Sequence, residues 1–216
     1  MSTPTFERAR SADAKASREA AILASATSLA LDRGVRAVTL TDIAAGVGMH
    51  KSTMLRYFET REEIFLCLAS MQWSAWSNEA ATALDDFPDD APPQQIAETL
   101  TGTLLSRPLF CELLAHVPLN LERGVSFEAV RTFKLIAIDA FTHVVQALKR
   151  FGMSLESAGD VVATATAMTG SLWQMAAPGT ELRRFYEQEP SLAHAIVDVE
   201  PRLVSILTAM IRGSRT

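Results

Sequence analysis

The segment "GVGMHKSTMLRYFETREE" (residues 46–63) places cationic side chains and short hydroxyl donors close together in the chain. Between residues 33 and 61, five side chains are basic and two are acidic, although the whole chain has a formal net charge of −5. Side chains of these types form hydrogen bonds with phosphate oxygens and with the base edges of nucleic acid. A local basic excess attracts a polyanion even on an acidic protein. The segment therefore suggests nucleic-acid contact, and a solvated helix face is the ordinary alternative.

On a helix, residues 51–58 separate into an apolar and a polar face. At about 100° per residue, Met54 and Phe58 fall together, and we expect them to pack inward against Ile43 and Val47. The neighbouring arc carries Lys51, Ser52, Leu55 and Arg56.

The exposed side chains differ in what they can contact on DNA. Lys51 can donate to guanine acceptors and Ser52 to several base edges, whereas Leu55 can contact only a thymine methyl group. Thr53 and Tyr57 flank the far side of the helix, where a hydroxyl could reach a phosphate. This division is typical of a helix that contacts bases at its centre and phosphates at its edges.

Three predicted helices position these residues. The first covers about residues 14–32 and the last about residues 51–58. Thr39 begins the short middle helix as its N-cap, and Gly48 supplies the turn that follows. Two helices joined by a short glycine-containing turn form the helix-turn-helix layout, in which the second helix enters the major groove.

The stretch "VTLTDIAAGVGMHKSTMLRYFETREEIF" resembles the DNA-binding signature of the TetR family of bacterial transcriptional repressors. The family pattern T-x-x-D-I-A-x-x-A-G-V-S-x-G-T-L-Y-x-Y-F-x-x-K-E-E-L aligns without a gap from Thr39 to Ile64. The outright matches include Asp42, Ile43, Ala44, Gly48, Thr53, Tyr57, Phe58, Glu62 and Glu63. Similar residues stand at Met49, Met54, Arg61 and Ile64. So many matches in one register make the resemblance specific.

The resemblance implies a fold and a set of DNA contacts. It implies an all-α chain of about nine helices, with an N-terminal three-helix helix-turn-helix module followed by a larger helical bundle, and the helical periodicity agrees. The residues expected to face bases are Thr41, Lys51, Ser52 and Leu55, with Arg56 added from the helical wheel. The residues expected to contact phosphate are Thr39, His50, Thr53, Tyr57 and Arg61.

Three positions depart from the family pattern. Leu55 stands where the family usually has a tyrosine, which removes a hydroxyl and a stacking surface. His50 replaces the usual serine cap of the third predicted helix, and Ser52 replaces a frequent glycine. These departures affect which bases are contacted and leave the binding mode as the family implies.

The predicted domain organisation has three parts. Residues 1–14 are expected to be a disordered tail, residues 15–60 the helix-turn-helix domain, and residues 61–216 a helical ligand-binding and dimerisation domain. A helix over residues 61–84 connects the two domains, and "DDFPDDAPP" (residues 85–93) ends it because it is rich in proline. Further helices are predicted near residues 94–106, 108–117, 127–150, 157–174 and 199–212, with an irregular segment over 176–197 that includes a short helical turn near 182–188.

The C-terminal domain is predicted to hold an apolar pocket. Aromatic, methionine and histidine side chains on apolar helices indicate a hydrophobic or aromatic effector, although such side chains also serve as ordinary core. The predicted pocket residues are Phe110, His116, Phe133, Phe141, His143, Met168, Trp173 and Met175.

A homodimer is the predicted assembly. Small residues in "ATATAMTG" and the aliphatic stripe in "RLVSILTAMI" could pair two copies through a helix bundle, or could instead pack within one chain. The predicted interface residues are Ala163, Ala167, Gly170, Leu203, Ile206, Leu207 and Met210. Two copies would place two recognition helices on a palindromic operator of double-stranded DNA.

Composition narrows the remaining possibilities. Apolar residues form 48% of the chain, the first fourteen residues hold no apolar run, and no stretch approaches the roughly 18 apolar residues of a membrane span. We therefore expect a cytoplasmic protein without a membrane partner, with Cys67 and Cys111 as reduced thiols rather than a disulfide. No cofactor or metal is expected. The competing hypotheses are an enzyme, which no catalytic motif supports, and a helical ligand-binding or interaction protein that does not bind DNA.

Overall fold

The computed structural model describes residues 4–176 and 178–215, and this part of the chain contains ten α-helices and no β-strand. The all-α prediction is therefore confirmed. None of the described helices combines the length and the apolar character of a membrane-spanning segment. The helices are α1 (Pro4–Arg33), α2 (Leu40–Gly46), α3 (Lys51–Met54), α4 (Arg61–Asp85), α5 (Pro93–Leu105), α6 (Pro108–Leu119), α7 (Phe127–Lys149), α8 (Leu155–Ala176), α9 (Glu181–Gln188) and α10 (Val199–Ser214).

Local signals set the turns of the N-terminal module. Gly34, which follows the last residue of α1, has a φ of 82°, and Gly48 in the turn after α2 has a φ of 64°, values that favour glycine. The predicted turn at Gly48 is therefore confirmed. At the start of α2, Thr39 Oγ1 accepts a hydrogen bond from Asp42 N at 3.2 Å. Asp42 Oδ2 in turn accepts from Thr39 N at 2.8 Å, which completes a capping box.

Two helix bounds differ from the sequence prediction by several residues, the start of α1 and the end of α3. Helix α1 begins at Pro4, so residues 4–14 are helical rather than a tail, while residues 1–3 lie outside the described residues. Residues 4–14 carry no apolar stripe in the sequence, so periodicity could not detect this extension. Helix α3 ends at Met54, and turn hydrogen bonds carry the chain on to Phe58. The short helical turn predicted near 182–188 agrees with helix α9, which Thr180 caps.

Two apolar cores overlap along α4 and α6. The core that we call the N-terminal core joins α1–α3 to the first turns of α4, from Ile64 to Ala69, and to one face of α6 at Leu109 and Leu113. The C-terminal core begins at Trp76 of α4 and is built from α5, α7, α8 and α10. Trp73 packs against both cores, so α4 belongs to both.

Three of the predicted dimer residues lie inside the protomer. Leu203 and Leu207 are 0% exposed and belong to the C-terminal core. At Gly170, a β-carbon would lie 2.8 Å from Ala115 N and 2.9 Å from Leu114 C, both backbone atoms of α6. This glycine therefore permits the close packing of α8 on α6, and it is not available to a second copy.

Substituting Gly170 tests that packing. Gly170→Ala should lower the free energy of unfolding by about 1–3 kcal/mol, because α6 or α8 must shift to admit the methyl group. The control is Gly102→Ala in α5, where a β-carbon meets nothing within 4 Å. It should instead raise stability by up to about 1 kcal/mol through helix propensity. Urea unfolding at one fixed protein concentration measures both, and equal stabilities would contradict the α6–α8 contact.

Candidate nucleic-acid interface

Helix α3 and the turn after it have one buried and one exposed face. Met54 is 0% and Phe58 is 8% exposed, and both pack into the N-terminal core with Ile43. The exposed residues of this segment are Lys51, Ser52, Leu55 and Arg56. The predicted division of the helix into an inward apolar face and an outward polar face is therefore confirmed.

The outward face also contains an apolar side chain. Leu55 is 47% exposed, a large fraction for a leucine, so the described part of the chain leaves it open to solvent. A solvent-facing leucine between hydroxyl and cationic side chains gives this surface a contact point for a methyl group.

Most other predicted DNA contacts are accessible. Thr39, Thr41 and His50 are exposed, and Thr53 and Tyr57 are half-buried. His50 occupies the N-cap position of α3 without a capping hydrogen bond from its side chain. Its imidazole is therefore not used to cap the helix.

Between residues 33 and 61, three exposed cationic side chains lie outside the ion pairs of the described residues. Arg36, Lys51 and Arg56 are exposed, and none forms an ion pair within the described residues. Arg33 is different, because its Nη2 lies 3.1 Å from Asp42 Oδ2. Hydrogen bonds from Thr39, and to a lesser extent the Arg33 charge, hold the pKa of Asp42 below its ordinary value. Arg36 is one of the five basic residues between residues 33 and 61, but it was not among the residues predicted to contact DNA.

Arg61 has a different role from the phosphate contact that was predicted. Its guanidinium donates to the carbonyl oxygens of Val35 and Val38 and to Glu62 Oε1, the last at 2.7 Å. The guanidinium carbon also lies 4.9 Å from the centroid of the Phe65 ring. Only 16% of the side chain is exposed. Arg61 therefore fastens the turn between α1 and α2 to α4, and we do not assign it a phosphate.

Glu112 of α6 holds the same turn from the other side. Its Oε1 accepts a hydrogen bond from Val35 N at 2.8 Å and lies 3.7 Å from His116 Nε2. We call this arrangement, in which Arg61 and Glu112 bind the backbone of residues 35–38, the interdomain clamp. Sequence reasoning missed Glu112 because 77 residues separate it from Val35, and no local pattern marks such a contact.

An apolar groove of about 850 Å³ lies between α4 and α7. We call it the α4–α7 groove, because side chains of α4 and of the first turns of α7 form most of its walls. Phe58 and Glu59, which follow α3, complete one end. Of the eight predicted pocket residues, only Phe133 lines this groove.

The other predicted pocket residues lie elsewhere. Phe110 is 0% exposed, and its ring centroid lies 5.4 Å from that of Trp73 and 5.9 Å from that of Trp76. It is therefore packed within an aromatic cluster of the core. His116, Phe141 and Met168 are buried or half-buried among the helices, Trp173 lines a smaller cleft, and His143 and Met175 are exposed. Aromatic and methionine periodicity identified apolar helix faces but could not indicate which face borders a cavity.

Comparison with family models agrees with this architecture. Residues 22–68 match the model of bacterial regulatory proteins of the tetR family, and residues 70–216 match a tetracyclin repressor-like C-terminal domain. The chain belongs to the TetR family. It is therefore a DNA-binding transcriptional regulator with a C-terminal domain of the ligand-binding kind. A search of curated proteins found no match.

Solved TetR-family structures share the fold at low sequence identity. A possible TetR family transcriptional regulator from Streptomyces coelicolor A3(2) superimposes with a TM-score of 0.60 at 14% identity, over 90% of this chain and 97% of that one. A bacterial regulatory protein in the tetR family from Rhodococcus RHA1 gives 0.59 at 12% identity, over 91% and 96%. RolR in complex with resorcinol gives 0.54 at 18% identity, over 95% and 91%. At such identities these likenesses establish the fold alone.

Removing the Arg61 side chain tests the clamp. Arg61→Ala should lower the free energy of unfolding by about 1.5–3 kcal/mol, because backbone carbonyls lose hydrogen bonds from a charged group. Arg56→Ala is the matched control, since this arginine is exposed, and its stability should stay within about 0.5 kcal/mol of the wild type. Urea unfolding compares the two. A wild-type stability for Arg61→Ala would show that the clamp contributes little.

Proposed function

We propose that this regulator binds a palindromic operator as a homodimer through the outer face of α3, and that a small molecule in its C-terminal domain releases it. The observation that carries the proposal is the exposed polar surface of α3, which lies on the side opposite to the buried Met54 and Phe58. A helix supported in this way can enter the major groove without exposing the core.

The proposed contacts fall into two groups. Lys51 is assigned to guanine acceptors and Leu55 to a thymine methyl group, since each has the chemistry for that contact and is exposed. The full base-facing set is Thr41, Lys51, Ser52, Leu55 and Arg56. The phosphate set is Thr39, His50, Thr53 and Tyr57, without Arg61.

Lys51→Ala tests the base contact. The variant should lose about 1–3 kcal/mol of binding free energy at the preferred site and should accept more bases at one position. Lys149→Ala, an exposed lysine at the far end of α7, is the matched control and should bind like the wild type. Fluorescence anisotropy on fragments selected from random DNA gives both measurements. Equal affinities for the two variants would remove Lys51 from the interface.

Salt dependence tests the phosphate contacts as a group. Binding to the selected operator should weaken steeply between low and moderate salt, with a logarithmic slope of about −0.9 for each phosphate contacted. The DNA upstream of the protein's own gene is the first fragment to examine, because self-regulation is common in the family that the sequence resembles. Retention independent of salt would contradict this mode of binding.

The outer face of α8 supports a dimer interface. Ala163 and Ala167 are exposed there, and their small side chains would let a second copy approach closely. Ile206 and Met210 of the neighbouring α10 are half-buried. A twofold axis between such surfaces would set two α3 helices about 34–36 Å apart, one turn of DNA.

Ala167→Glu tests the interface. A charged side chain on this face should separate the copies, so light scattering should report the monomer mass while the helical content stays unchanged. Ala24→Glu, at an exposed alanine of α1, is the control and should remain dimeric. Met210 is a poorer choice, because it also packs against the core of its own protomer. A dimeric Ala167→Glu would place the interface elsewhere.

The position of the α4–α7 groove supports a route from effector to DNA. Its lining combines Phe58 and Glu59 of the DNA-binding module with α4 and α7 of the ligand domain. A molecule that binds the groove better in one orientation of α4 shifts the population towards that orientation. Because α4 begins at Arg61, shortly after α3, a reorientation of α4 changes the distance between the two α3 helices of the dimer.

A further inference from the structure

We propose that the α4–α7 groove selects a lipophilic cation as its ligand and rejects an anion of the same shape. The inference deepens the proposed function, in which this groove is the effector site. It rests on the charges of the groove lining, on its apolar walls and on the surrounding ionisable groups.

All charged side chains in the described lining of the groove are acidic. They are Glu59, Glu63 and Glu128, and this lining contains no lysine, arginine or histidine. None of the three carboxylates forms an ion pair within the described part of the chain. Glu63 Oε2 accepts a hydrogen bond from Glu59 N at 2.6 Å, which orients that carboxylate without neutralising it.

The walls between these carboxylates are apolar. Phe58 and Phe133 contribute aromatic rings, and Leu66, Met71 and Ile136 contribute aliphatic surface. An apolar wall stabilises the body of a hydrophobic molecule, and an aromatic face attracts a cation. A charge taken into such a site requires an opposite charge nearby, and only a cation finds one here.

The cationic residues near the groove do not neutralise the negative charge of its lining. Lys134 of α7 has its Nζ 5.5 Å from the Phe133 ring centroid, but it is paired with Glu122 Oε1 at 2.6 Å. Arg131 is exposed on α7, one helical turn from Glu128, and neither Arg131 nor Lys134 lines the groove.

The thiol in the groove is under the same negative field. Cys67 is half-buried in the lining, and burial first, then the charges of Glu19 and Glu63, raises the pKa of its thiol. An environment that disfavours a thiolate also disfavours an anionic ligand.

Two ions of equal shape and opposite charge provide the test. Isothermal titration calorimetry on the full chain compares tetraphenylphosphonium with tetraphenylborate. The wild type should bind the phosphonium at least about tenfold more tightly than the borate. Stronger binding of the borate, equal binding of both, or binding of neither would overturn the proposal.

Matched variants separate the groove from the overall charge of the protein. Glu59→Gln/Glu63→Gln/Glu128→Gln should weaken phosphonium binding about tenfold, while the amide oxygen introduced at position 63 still accepts a hydrogen bond at the start of α4. The control Asp86→Asn/Asp90→Asn/Asp160→Asn removes the same three charges from exposed positions outside the groove lining and should bind like the wild type. Glu59→Gln/Glu128→Gln, which leaves Glu63 unchanged, should give an intermediate loss. Equal losses in the two triple variants would assign the preference to net charge and overturn the proposal.

Operator release is measured separately, so the two proposals fail separately. If phosphonium binds with the expected selectivity but leaves the operator complex intact, the groove retains its cation preference and effector-controlled release fails. If both ions bind equally while other molecules release the operator, the proposal of effector-controlled release is supported and the proposed cation preference is wrong.

Discussion

The backbone turn at residues 35–38 is held from both sides by charged side chains of the C-terminal domain, and this constraint sets the position of the DNA-binding module. Arg61 of α4 donates to the turn's carbonyl groups, and Glu112 of α6 accepts from Val35 N. A turn between two helices leaves backbone groups without helical partners, so such bonds stabilise it. Because α2 and α3 pack on α1 through the N-terminal core, the clamp also orients α3.

The N-terminal core extends the same coupling through apolar contacts. Ile64 and Phe65 of α4 and Leu113 of α6 lie in one cluster with Ile43 and Met54 of the helix-turn-helix. A packed cluster of this kind transmits a helix shift instead of absorbing it, because interiors are close-packed. Among the described residues, the DNA-binding module shares its core with α4 and α6. An effector beside α4 needs to favour only one of two helix orientations to influence α3.

The local features of the module could be predicted from short stretches of sequence. The capping box of Thr39 and Asp42, the glycine turns and the inward face of α3 each depend on residues close together in the chain. Arg61 shows the limit of such reasoning. Its place in the family pattern predicted a phosphate contact, while the fold brings the carbonyl groups of Val35 and Val38 within its reach. A cation near a helix-turn-helix can serve DNA or the protein's own backbone, and spacing does not distinguish the two.

The sequence by itself determined the helical class, the helix-turn-helix and the exposed polar surface of α3, because periodicity, caps and glycine turns act over a few residues. Only the tertiary structure decided which apolar faces became core and which bordered a groove. Gly170 and Leu203 are small and aliphatic residues that suit either a dimer interface or a protomer core, and the packing of α8 against α6 and α10 buried them. The groove and the clamp likewise join residues far apart in the chain. Their contacts depend on how whole helices pack, which no local pattern specifies.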